Sequence, residues 1–76
     1  MIRTKFRDLT IEDVTPKNRR RREVNVYYRK VFVGHVSWSA RRQEYFFFAA
    51  DLSGWNRLAL MQFTELVKYM DEEYGK

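Results

Sequence analysis

The sequence predicts an α+β fold, a small antiparallel sheet of three or four strands with one C-terminal helix packed on one face. Two observations carry this. Residues 23–50 hold eight of the thirteen Phe, Trp and Tyr residues and five of the seven valines, the types that fill strands. After Asn56 the apolar residues change to helical spacing. The whole chain, residues 1–76, reads as a single small domain near the size where one core is only marginally sufficient. With 45% hydrophobic and 17% aromatic residues it is too rich in apolar surface for a disordered chain.

Residues 1–14 form an N-terminal docking segment. Ile2, Thr4 and Phe6 alternate with Arg3, Lys5 and Arg7, a period of two that suits an edge strand. Beyond it, either Thr10 and Asp13 cap a short helical turn, or Leu9 and Ile11 extend the strand. Phe6, Leu9, Ile11 and Val14 anchor the segment in both cases. Residues 15–22 are a basic linker or arm with the only proline, Pro16, then Lys17, Asn18, Arg19, Arg20, Arg21 and Arg22. Like charges in a block repel one another and stay solvated, so this is a mobile loop or an arm that orders on an anionic partner.

Residues 23–50 carry the sheet. Val24 and Val26 alternate with Asn25 and Tyr27 in a first strand that ends near Tyr28. Arg29 and Lys30 form a hairpin tip, without the Asn-Gly chemistry that most favours tight turns. The second strand runs over residues 31–39. Strict alternation places Phe32, Gly34, Val36 and Trp38 on one face and Val31, Val33, His35 and Ser37 on the other. Gly34 leaves a gap that an aromatic ring can cover. Ala40, Arg41 and Arg42 make a second tip. The third strand, residues 43–50, has Tyr45 and Phe47 on one face and Phe46 and Phe48 on the other. That pattern predicts a central strand covered on both sides, by the helix and by the N-terminal segment. Left bare, it is an aggregation hazard.

Residues 51–55 read as a turn broken by Ser53 and Gly54. The helix spans residues 56–74, with Asn56 as N-cap and Ala59, Phe63, Leu66, Val67, Met70 and Tyr74 on one stripe. Thr64, Glu65, Lys68, Asp71 and Glu72 lie opposite. Leu58, Met61 and Tyr69 fall outside the stripe, which implies either a wide apolar face or a second adhesive surface. Asp71, Glu72 and Glu73 sit where the helix macrodipole disfavours negative charge, so a cation is expected there.

The net charge of +5 conceals an asymmetry. Residues 1–42 hold twelve Lys/Arg against four Asp/Glu, and residues 43–76 hold three against six. Either the two parts neutralise each other within the fold, or one face is electropositive. Catalysis has little support. There is one histidine, His35, among valines, no cysteine and no phosphate-cradling glycine loop. No cofactor, metal or small-molecule substrate is implied. The longest apolar run is too short to cross a bilayer and no secretory segment is evident. A cytoplasmic location without membrane contact is expected, as a monomer or weak homo-oligomer.

The expected function is a non-enzymatic binding module, with nucleic acid as the favoured partner. Lys17, Arg19, Arg20, Arg21 and Arg22 would hold phosphates, since each guanidinium forks onto phosphate oxygens. Arg29, Lys30, Arg41 and Arg42 lie at the two tips, bracketing a face on which Tyr27, Tyr28, His35 and Trp38 would stack on bases. Three strands followed by a helix occurs in several small DNA-reading modules, and also in many proteins that bind no nucleic acid. The alternative is a protein-binding module or inhibitor, of the kind phages and mobile elements encode. It would set the same arginines against an acidic host protein, with Trp38, Trp55 or Tyr69 as anchors.

Overall fold

A computed structural model describes residues 2–50 and 55–75. Among them are five strands, β1 (Lys5–Phe6), β2 (Leu9–Asp13), β3 (Val24–Tyr28), β4 (Val31–Ser39) and β5 (Glu44–Ala49), followed by one helix, α1 (Arg57–Tyr74). The strands form one antiparallel sheet in chain order, β1-β2-β3-β4-β5. The architecture is α+β as expected, but with five strands rather than three or four. Both additional strands come from the N-terminal segment, which takes the extended alternative and not the helical turn. Leu9 and Ile11 are buried while Thr10 and Glu12 are exposed, so the period of two decides. Pairing of β2 with β3 over its full length satisfies backbone groups that a single helical turn would leave open.

The helix covers one face of this sheet. Ala59, Phe63, Leu66 and Met70 are buried with Phe6, Leu9, Ile11, Val24, Val26, Val33, Val36 and Tyr45, and the Phe63 ring stacks on Phe47 with centroids 4.4 Å apart. Asn56 caps the helix, its Oδ1 accepting from the Ala59 N–H at 2.8 Å. Gln62 is buried inside this layer without a polar penalty. Its Oε1 accepts from the Asp8 N–H at 3.0 Å and its Nε2 donates to Asp8 Oδ2 at 3.2 Å. Tyr69, outside the main stripe, packs edge-on to Phe6 and accepts from the Arg3 N–H. Leu58 and Met61 remain exposed. The expected turn at residues 51–55 lies outside the described residues except for Trp55, which packs against Phe63 and Tyr28.

A β-bulge sets the two faces of β4. The register shifts between Val26 and Tyr27, so Val26 pairs with Gly34 but Tyr27 with Phe32. The extra residue turns Val33 inward, where it is buried beside Gly34 and Val36, and turns Phe32 outward. Strict alternation places these two the other way round; the inserted residue reverses the pleat. Gly34, with φ 155°, is the residue that allows it. Its missing Cβ would meet the Phe48 carbonyl oxygen, and a Phe47 ring carbon covers the position at 3.0 Å.

The other face of the sheet has no cover among the described residues. β5 is an edge strand backed by the helix on one side only, not a central strand covered on both. The N-terminal segment joins the opposite edge of the sheet and shields nothing on this face.

Candidate nucleic-acid interface

The register defines the open face row by row. Thr10, Tyr27 and Phe32 are neighbours in one row, and Glu12, Asn25, His35 and Phe48 in the next, followed by Ser37 with Phe46 and Ser39 with Glu44. Five rings therefore share the face. Tyr27 meets Phe32 edge-on at 5.6 Å, His35 stacks flat on Phe48 at 5.0 Å, and Phe46 tilts against Phe48 at 6.1 Å. Phe32 is 46% exposed and Phe48 43%, a large departure for rings that a core would normally bury. The Tyr27 hydroxyl donates to Glu12 Oε1 at 3.1 Å. That bond, with partial desolvation and the Glu12 charge, raises the phenol above its usual range.

The basic groups fall at the two ends of the sheet. The β3–β4 tip, Arg29 and Lys30, has φ of 48° and 69°, the two positive values of a two-residue hairpin turn normally filled by Asn-Gly. Contacts with the β1–β2 turn hold it. The Arg29 N–H donates to the Asp8 carbonyl at 3.0 Å and its Nε lies 3.7 Å from Asp8 Oδ1. Arg29 thus leans toward the β1–β2 turn, and Lys30 is exposed.

At the far end, the loop between β2 and β3 and the loop between β4 and β5 stand together, because β3 starts opposite Val36 and β4 ends at Ser39. This brings Arg19, Arg20, Arg21 and Arg22 beside Ser37, Trp38 and Ala40 around a pocket of about 290 Å³. Arg41 and Arg42 follow on the adjoining tip. That tip is held by Gln43 N–H to Ser39 O (2.7 Å), Arg42 N–H to Ser39 Oγ (3.2 Å) and Gln43 Nε2 to Ala40 O (2.8 Å). Arg42 lies 5.6 Å from the Phe46 ring centroid and 3.8 Å from Glu44 Oε2, directly beside the open aromatic face.

The arm is not wholly solvated. Its base is closed by the Val14 N–H on the Glu23 carbonyl and by Thr15, whose hydroxyl donates to Asp13 Oδ1 at 2.6 Å. Burial pushes Asp13 upward, but the Thr15 hydroxyl and amide and the Arg22 charge outweigh it and hold the carboxyl below its usual range. The Arg22 N–H donates to the Tyr45 hydroxyl. Arg21 lies 3.8 Å over the Trp38 ring and donates to the Tyr74 carbonyl at 2.9 Å. Arg21 thus brings a cation to the helix C-terminus at the Tyr74 carbonyl, which also accepts from the Tyr45 hydroxyl at 3.2 Å. Lys17, Arg19 and Arg20 remain exposed.

Tyr27 and His35 thus reach the open face, whereas Tyr28 and Trp38 do not. Tyr28 pairs edge-on with Trp55 and Trp38 with Tyr45, both on the helix side. Sequence reasoning missed Phe32, Phe46 and Phe48 as surface rings. The double-faced aromatic run is the signal for them, but the same pattern reads as a demand for cover. Trp55 and Tyr69 are likewise packed against the body. No protein-family model matches this chain, and no curated protein or solved structure matches it. No helix among the described residues is long and apolar enough to cross a membrane.

Proposed function

We propose that the chain binds single-stranded nucleic acid across the open face of the sheet. One observation carries this reading: an uncovered row of rings, Tyr27, Phe32, His35, Phe46 and Phe48, with Arg42 and the exposed arginines of the arm at one end and Lys30 at the other. Bases stack on such rings whatever their identity, and the cations hold the intervening phosphates. A flat aromatic sheet suits unstacked bases better than duplex, whose base faces are already occupied. The face is not uniformly positive, since Glu12 lies beside Tyr27, so the phosphates would run along the arginine-bearing end.

The test is fluorescence anisotropy with labelled single-stranded and duplex oligonucleotides at low salt. Single strands should bind more tightly, and Phe48→Ala should weaken them by ~1–3 kcal/mol without unfolding the chain. Trp38→Ala should instead lower stability, because Trp38 packs on Tyr45 beneath Arg21. No retention of any oligonucleotide at low salt would sink the reading. It would leave the same exposed rings to an acidic protein partner, recognised by faster dissociation of that partner from Phe48→Ala.

A further inference from the structure

The two edges of the sheet are protected very differently. The β1 edge is two residues long and bears Lys5, devices that discourage further strand pairing. The β5 edge is six residues long and, after Glu44, carries no charge, no proline and no bulge. In its register with β4, the Ala50 N–H reaches the Val33 carbonyl, so Phe46 and Phe48 point their backbone groups inward and Tyr45, Phe47 and Ala49 point theirs outward. The Tyr45 N–H is held by Asp71 Oδ1 at 2.8 Å. The outward groups of Phe47 and Ala49 have no hydrogen-bond partner among the described residues.

Beside this edge runs an apolar groove of about 570 Å³ between β5 and the overhanging flank of α1, lined by Phe47, Ala49, Leu60, Thr64 and Val67. Leu60 is 50% exposed on that side of the helix. The flank carries both signs: Arg57 stands at its beginning, and Lys68 with Asp71 and Glu72 toward its end, which leaves that end net negative. Related by a two-fold axis, two such helices would run antiparallel, with the Arg57 end of one toward the acidic end of the other and their dipoles opposed.

We propose that the β5 edge is the self-association surface of this chain, joining two copies through an antiparallel β5–β5 pairing centred on Phe48. In that register Phe47 of one copy exchanges both backbone hydrogen bonds with Ala49 of the other, and the symmetric pair does the same. Tyr45 keeps its bond to Asp71. The sheet becomes continuous across the two-fold, the grooves close over Leu60 of both copies, and Phe48 meets its counterpart on the open face. The proposal does not depend on what that face binds.

Sedimentation equilibrium across a dilution series, up to millimolar concentration, tests it. The wild type should dissociate from a dimer on dilution. Ala49→Pro removes only an outward N–H, which an edge strand tolerates, and Leu60→Glu places a charge in the groove. Both should remain folded by circular dichroism and sediment as monomers. Leu58→Glu changes a leucine of similar exposure, 45%, away from the groove and should leave the dimer intact. A wild type that is monomeric throughout, or a dimer insensitive to both groove variants, would overturn the proposal. So would a monomer that takes up a foreign extended peptide on the same edge.

Discussion

Gly34 has φ 155° and lies under the Phe47 ring, and a methyl group built there meets the Phe48 carbonyl oxygen. Gly34→Ala therefore combines a conformation that L residues rarely adopt, costing ~1–3 kcal/mol, with a clash against the backbone of β5. A fall in urea midpoint of corresponding size is expected, together with loss of the bulge that turns Phe32 outward. An unchanged midpoint would show that the sheet edge relaxes freely around the new methyl. Arg21 shows the same dependence on place. Its guanidinium is spent on Trp38 and on the helix C-terminus, so the most basic stretch of the sequence contributes part of its charge to the fold.

Among the elements, α1 stabilises the sheet through a narrow stripe. Leu66 is fully buried at its centre, and Leu66→Ala should cost ~2–5 kcal/mol, a large share of what a domain this small possesses. A melting temperature equal to wild type would mean that the helix seats differently. The β2–β3 loop carries a pH dependence through Asp13. Its folded pKa lies below the ordinary value of 3.8, so its contribution is present above that value and disappears as pH falls through the folded pKa. The protection of the Thr15 amide, which donates to Asp13 Oδ1, should fall over that acid range relative to its intrinsic exchange rate. Asp13→Asn should flatten the response, whereas a profile unchanged by that substitution would assign the effect to another group.

For the whole molecule, the topology sorts the charge. An antiparallel meander places the β2–β3 and β4–β5 loops at one end, and α1 returns to that same end, so six arginines gather near the helix C-terminus. Replacing the exposed Arg19, Arg20, Arg41 and Arg42 with alanine should leave stability nearly unchanged and weaken binding of single-stranded nucleic acid. The slope of log affinity against log salt should fall by roughly 0.7 for each phosphate no longer neutralised. Affinity should drop by a similar factor across sequences, since phosphate-holding cations position the strand without reading bases. An unaltered slope would place the phosphates elsewhere.

The amino-acid sequence by itself determined the local features: strands at Val24, at Val31 and at the Phe46–Phe48 run, the Asn56 cap and the buried stripe from Ala59 to Met70. Periodicity and capping depend on near neighbours, which the chain order displays directly. It left the N-terminal segment undecided, because Thr10 and Asp13 satisfy a helical cap as well as Leu9 and Ile11 satisfy a strand. Only the β2–β3 ladder resolves that choice. The faces of β4 were legible up to the bulge, whose single extra residue exchanges Phe32 with Val33. The aromatic run showed that Phe46 and Phe48 differ in side from Tyr45 and Phe47, but not that one side stays open. Covering a sheet face is a property of strand order and helix placement. The tertiary structure alone decided it, by spending the N-terminal segment on the sheet edge and the helix on a single face.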